Sequence, residues 1–328
     1  MGTDDDGGDD PGSAAAAAAP FADVDEERLR EVFEAESYVA DDEIVTTVLL
    51  ALRLGKPLLI EGEPGSGKTE LGKVLAGGFS TDLVRLQCYE GLAAENTLYE
   101  WNYTKQLLAV QAGEGGVEDG GGSGEAGADG DGDERSVFDR DYLLERPLLE
   151  ALSGDGDRPP ILLIDEVDRA DEEFEALLLE VLSDFQVSIP ELGTVSADRP
   201  PVVIVTSNRT RGLSDALKRR CLYLHIDPPS FEKERAIVER KVPELDAAVA
   251  AELCGVVARL REEPLLKQPG VAETLDWARA VRELDGEGEG LEPATVRNTL
   301  GCLLKEAEDV ERVDDDLIER VVADATAE

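Results

Sequence analysis

The sequence predicts a parallel α/β domain followed by a smaller all-helical domain, and three observations carry that prediction. A glycine-rich loop, Gly62 to Thr69, stands between the apolar run Pro57–Ile60 and a helical pattern that begins at Glu70. Two further apolar runs, Ile161–Ile164 and Val202–Val205, end in polar residues, as buried parallel strands do where they open onto a crevice. From Ser230 onward the apolar spacing is helical throughout.

Composition bounds what the two domains can do. The 328 residues are enough for two cores, and 74 acids against 9 lysines and 23 arginines leave a formal net charge of −42. Such acidity matches a cytoplasmic protein of a salt-loving organism, where the screening length falls to about 3 Å and self-repulsion nearly vanishes. Acids spread over a whole surface do not themselves exclude nucleic acid. The absence of a basic stripe interleaved with aromatics argues against it more directly. Cys88, Cys221, Cys254 and Cys302 form no C-x-x-C pair, so reduced, partly buried thiols are expected. The N-terminal residues are acidic where a signal peptide needs positive charge, and no apolar run approaches the roughly 20 residues of a membrane span. A soluble, cytoplasmic protein is expected.

Residues 1 to 22 are acidic and rich in glycine and alanine, which predicts a tail without a fold of its own. From Asp23 to Leu54 the apolar residues recur at helical spacing and predict two helices, with Tyr38 and Val39 between them either packed or set against a base. The loop itself, Gly62, Glu63, Pro64, Gly65, Ser66, Gly67, Lys68 and Thr69, has the spacing of a phosphate-binding P-loop, and Glu70 opens the helix behind it. In that geometry main-chain N–H groups and the helix N-terminus surround phosphate, Lys68 reaches the β- and γ-phosphates of ATP, and Thr69 ligates Mg2+.

Leu83–Cys88 predicts the next strand, and the alternating aromatics Tyr99, Trp101 and Tyr103 predict an extended hairpin. Residues 112–135 have the composition of a solvated loop that interrupts the domain, and Arg146–Leu152 reads as a helix. The strand Ile161–Ile164 ends in Asp165 and Glu166. Asp165 is the expected magnesium ligand, and Glu166 the expected acceptor of a proton from attacking water. A helix over Glu172–Ser183 and a hairpin from Gln186–Pro190 and Gly193–Val195 follow. The strand Pro201–Ser207 ends in Asn208, whose amide suits a water-orienting role. Lys218–Arg219–Arg220 is the one run of three basic residues in the chain, and a guanidinium there suits transition-state stabilisation across a subunit boundary. His225, the sole histidine, reads as structural. Helices are expected near 231–242, 246–262, 271–284, 293–309 and 315–325.

Together these features resemble the AAA+ ATPases over residues 25 to 325. Within them EGEPGSGKTEL, RLQCYEG, LYEWNYTKQLL, ILLIDEVDRA, QVSIPELGTV and TSNRTRGLSDALKRRCLY are most similar to the MoxR family, in the branch associated with carbon monoxide dehydrogenase maturation. The resemblance implies a nucleotide-binding domain over 23–228 with a sheet of order 5-1-4-3-2 and a helical lid over 229–328. It also implies a ring, usually hexameric, and ATP-driven remodelling of a client, with a von Willebrand factor A domain protein or an immature metalloenzyme as partner. Arg220 takes the place of the family's arginine finger, with Arg219 as the alternate. Leu98–Leu108 would be the insert in the second helix. The family's lid sensor arginine is replaced by Val271-Ala272-Glu273, and Arg279 is the nearby substitute. A nucleotide-switched scaffold and a nucleic-acid motor are the other functions this fold serves.

Overall fold

Acidic residues set where the first helices begin. Asp25 and Asp41 accept from the backbone N–H groups of Arg28 and Ile44 (2.8 and 2.9 Å), which caps α1 (Glu26–Ala35) and α2 (Asp42–Leu54). Gly55, left-handed at φ 60°, ends α2 and turns the chain into the sheet. The computed structural model describes residues 21–93, 95–112, 142–154, 156–189, 193–284 and 290–326. The expected tail up to residue 20, the expected insert from residue 113 and the hairpin tip at 190–192 lie outside the described residues. Phe21 is buried and packs its ring on Phe79 at 4.7 Å, so the fold is entered two residues before the expected Asp23.

The strands, in chain order, are β1 (Leu58–Gly62), β2 (Leu83–Gln87), β3 (Tyr99–Trp101), β4 (Leu143–Glu145), β5 (Ile161–Asp165), β6 (Gln186–Ile189), β7 (Gly193–Ser196), β8 (Val202–Ser207) and β9 (Leu222–Ile226). Five of them form one parallel sheet in the order β2-β5-β8-β1-β9. Counted as core strands one to five, this is the expected 5-1-4-3-2. Side chains alternate between its faces, and each face is covered. Leu58, Ile60, Leu163, Ile204 and Leu224 meet α1, α2 and α3 (Lys68–Phe79). Leu59, Leu162, Ile164, Val203 and Val205 meet α6 (Pro147–Ser153), α7 (Glu172–Asp184) and the β6–β7 hairpin. Burial on both faces explains why these strands read as unbroken apolar runs.

The aromatic stretch departs from expectation. Only Tyr99–Trp101 is extended, after the single turn α4 (Glu95–Leu98), and its antiparallel partner is β4, some forty residues downstream. Tyr103 instead begins α5 (Tyr103–Ala112), because the Asn102 carboxamide accepts from Lys105 N (3.0 Å) and starts a helix there. The aromatic period of two spans five residues, but the Asn102 cap ends the strand after three.

The C-terminal region is helical: α9 (Phe231–Lys241), α10 (Ala247–Glu262), α11 (Val271–Leu284), α12 (Pro293–Leu303), α13 (Ala307–Arg312) and α14 (Asp315–Thr326). Its core is separate from the sheet's, with Trp277 fully buried and its Nε1 donating to Thr299 (2.7 Å). The single helix expected over 293–309 is two helices. Residues 304–306 separate them, and Asp309 of α13 is buried and accepts from the backbone N–H groups of Leu266 and Lys267 (2.8 and 3.0 Å). The Arg261–Glu234 pair (2.6 Å) is buried on its acidic side and links α9 to α10, while Thr274 of α11 donates to the same carboxylate (2.7 Å). No helix of the described residues is long and apolar enough to cross a membrane.

Candidate functional site

The chain turns from β1 into α3 through backbone that few sequences could adopt. A Cβ on Gly62 would stand 2.3 Å from the carbonyl oxygen of Ile226, and Gly65 and Gly67 hold φ of 81° and 90°. Lys68 is the first residue of α3, and its buried ammonium donates to the carbonyl oxygens of Gly62 and Glu63 (2.8 and 2.6 Å). Burial lowers the Lys68 pKa, while Asp165, Asp168, Glu166 and Glu63 pull it back in part. A polyanion beside Lys68 would favour its charged form further.

Asp165 ends β5 next to this loop. Its Oδ1 accepts from the hydroxyls of Thr69 (2.9 Å) and Thr206 (2.5 Å), and its Oδ2 pairs with Arg85 (2.5 Å). Thr206 also accepts from Glu166 N (3.0 Å), so one hydroxyl on β8 holds both the Asp165 carboxylate and the Glu166 backbone. Glu166 then adopts a left-handed conformation, φ 56° and ψ 48°, and its half-buried carboxylate pairs with Arg169 (3.0 Å). A non-glycine residue in that region marks a backbone held by its surroundings.

Asn208 follows β8. Its backbone N–H donates to Asp168 Oδ1 (3.1 Å), and Thr210 donates to Oδ2 through both backbone N–H (2.9 Å) and hydroxyl (2.5 Å). Burial alone would raise the Asp168 pKa, but these donors outweigh it and hold the group below its ordinary value. Asp168 thereby clasps the end of β8 to the segment after β5.

Lys68, Thr69, Asp165, Glu166 and Asn208 all line one cleft of about 460 Å³, with Pro64 to Gly67 along its floor. Tyr38, Val39, Ile44, Ile226 and Leu275 are apolar members of its lining, and the Tyr38 ring is also packed as expected, tilted against Phe33 with centroids 5.4 Å apart. The C-terminal helical region also lines the cleft, with Val271, Ala272, Asp276 and Arg279, and a Cβ on Gly65 would come within 3.3 Å of Gly270 Cα. Glu70 also lines the cleft and is held by Lys241 of α9 (3.1 Å) and Lys73 (3.4 Å). Burial pushes its pKa up, yet those lysines bring it below the usual carboxylate value.

Arg220 stands apart. It ends α8 (Asp215–Arg220) as an exposed residue, its Nε donating to Ser183 Oγ (2.8 Å) and its Nη1 to the Ala216 carbonyl (3.1 Å), and it is not part of its own chain's cleft. Arg219 is exposed beside it.

The donor set fits ATP with Mg2+. Thr69 and Asp165 offer hard oxygens 2.9 Å apart, of the kind magnesium takes, and the first turn of a twelve-residue helix faces the cleft with a buried ammonium at its start. Thr206, Asp168, Thr210 and Arg85 were not expected in the site. Asp168 could have been suspected as a third acid just after Asp165-Glu166, but its partners lie about forty residues away.

Residues 57–221 match the family described as AAA domain, dynein-related subfamily. No curated protein gives a significant match. Among solved structures, the chain is similar to a point mutant of Thermotoga maritima RuvB, with 16% identity, 92% of this chain and 75% of that chain covered, and a TM-score of 0.47. Thermotoga maritima RuvB described as a Holliday junction branch migration motor gives 17% identity, 89% and 70% coverage, and a TM-score of 0.44.

Proposed function

The chain belongs to the dynein-related subfamily of AAA domains, and from that premise we propose that it is a Mg2+-dependent ATPase of the MoxR type that remodels a client protein in the cytoplasm as part of a homo-oligomeric ring. The observation that carries the proposal is the convergence of Lys68, Thr69, Asp165, Glu166 and Asn208 on one cleft walled by the lid.

Bound ATP supplies the phosphoanhydride to be cleaved, and Mg2+ neutralises charge on its phosphates. Lys68 and the loop N–H groups bind the phosphates; Thr69 and Asp165 hold the metal. Glu166 takes the proton of the attacking water, with its backbone fixed through Thr206. Asn208 orients that water, on a loop clasped by Asp168. A scaffold that only binds nucleotide has no need of such a held base.

Arg279 faces the cleft from α11, two turns beyond the place where the family carries its sensor arginine, and we assign it the lid's contact with nucleotide. The lid is fixed to the nucleotide domain through Lys241 on Glu70 and Lys233 on Asp41 (2.8 Å), so a change at the first turn of α3 reaches α9 directly. That linkage is a route by which nucleotide state alters affinity for a client.

The test is capture from lysate in concentrated salt. With ATP, Glu166→Gln is expected to retain a protein with a von Willebrand factor A domain or an immature metalloenzyme, to release it when ATP is removed, and to be indifferent to nuclease. The Lys68→Ala variant should retain neither. Recovery of the same proteins by both variants would sink the remodelling proposal, and loss of the partners on nuclease treatment would favour a nucleic-acid motor.

A further inference from the structure

Glu61 precedes the nucleotide loop, yet its carboxylate is not part of the cleft. It is buried, with its side chain 7% exposed, and lies with a cluster of groups from the turn after β8, from α8 and from β9. The Tyr223 hydroxyl donates to Oε2 (3.0 Å), Arg209 Nε stands 3.4 Å from the same oxygen, and Lys218 Nζ stands 4.0 Å from Oε1. Burying a carboxylate in a strand is unfavourable unless it is paired, so one hydroxyl donor and two cations around one acid mark a site the fold maintains.

The origin of each donor gives the cluster its meaning. Arg209 follows Asn208 and is left-handed, φ 60°, with its N–H turned back on Ser207 Oγ (3.0 Å). That turn directly follows Asn208, whose own N–H is held by Asp168. Lys218 lies on α8, two residues before Arg220. Glu61 itself is joined through Gly62 to the loop whose carbonyls receive Lys68.

We propose that Glu61 is a positioning residue: within one subunit it fixes the Asn208 turn and the α8 helix to the strand that ends in the nucleotide loop, and so sets the arginine that subunit presents to its neighbour. The proposal rests on the reading of Arg220 as a finger acting in trans. Each subunit's cluster then governs turnover in the adjacent subunit as well as in its own.

Glu61→Gln keeps an acceptor for Tyr223 but removes the charge that holds Arg209 and Lys218. Its affinity for a fluorescent ATP analogue should stay within about twofold of wild type while kcat falls at least ~10-fold, because a misplaced catalytic group costs rate more than binding. Subunit mixing separates this from a general loss of structure. A fixed amount of wild type is assembled with an excess of Glu166→Gln, which binds ATP and presents its α8 but hardly turns over. The mixture is repeated with Glu166→Gln carrying in addition Glu61→Gln, Lys218→Met or Arg220→Ala.

The rate per wild-type subunit should fall at least ~10-fold further with each of the three double variants than with Glu166→Gln alone. Lys218 is exposed, so the Lys218→Met arm decides the matter if Glu61→Gln does not fold. A further fall with Arg220→Ala but not with Glu61→Gln or Lys218→Met overturns the role of Glu61 and leaves the finger standing. No further fall with Arg220→Ala removes the finger in trans and the proposal with it.

Discussion

Glu166→Gln is expected to bind ATP normally and to hydrolyse it at least ~100-fold more slowly, whereas Lys68→Ala is expected to lose ATP binding itself. The two residues line the same cleft, but they differ in what holds them. Lys68 is buried at the first turn of α3 with two carbonyl oxygens of the loop as acceptors, so its removal takes away the one cation built into the loop and leaves Gly62 and Glu63 short of a donor. Glu166 is placed through its backbone, by the N–H to Thr206, and that bond survives a change of side chain. The glutamine should therefore stand where the glutamate stands, unable to accept the proton. Equilibrium binding of a fluorescent ATP analogue and phosphate release measured on the same preparations check both statements. Normal turnover by Glu166→Gln would remove it from catalysis, and tight ATP binding by Lys68→Ala would remove the loop from the nucleotide site.

What the sequence disclosed of this site follows from how local each feature is. The loop Gly62–Thr69 is contiguous, and its glycines answer to close approach and positive φ that are fixed within a few residues. Asp165-Glu166 and Asn208 each end an apolar run, and the order β5-β8-β1 then sets those ends side by side. The residues that steady them are long-range pairs: Thr206 with Asp165, Thr210 with Asp168, Arg209 and Lys218 with Glu61. In a chain with 74 acids, no single aspartate or glutamate stands out until its partners are known. The same holds for the fold. Period and apolarity disclosed the central strands, but Asn102 ended β3 by capping a helix, and the helix expected over 293–309 is divided at 304–306, beyond which Asp309 reaches back to Leu266. In both places a polar side chain bonds to backbone where the hydrophobic pattern alone runs on.

The second large effect is expected at Arg220. Its guanidinium is turned onto Ser183 and the Ala216 carbonyl and is absent from its own cleft, while α8 carries it at an exposed position. A ring reconciles an arginine so placed with a role in phosphoryl transfer, because the adjacent subunit's cleft is then the one it serves. Hydrolysis should accordingly depend on assembly: specific activity rises with protein concentration and levels off once the oligomer is complete. Arg220→Ala should assemble and bind ATP yet lose about 10³-fold in turnover, the lower end of what an arginine finger contributes. Arg220→Lys should recover little, since an ammonium cannot reproduce the planar two-point contact of a guanidinium. Arg219→Ala should cost far less if Arg220 is the finger, and a larger loss at Arg219 would exchange their roles. Light scattering run beside the ATPase assay separates assembly from chemistry. Turnover unchanged on dilution to monomer would show that each subunit completes its own site, and Arg220 would then be only the brace of α8 against Ser183.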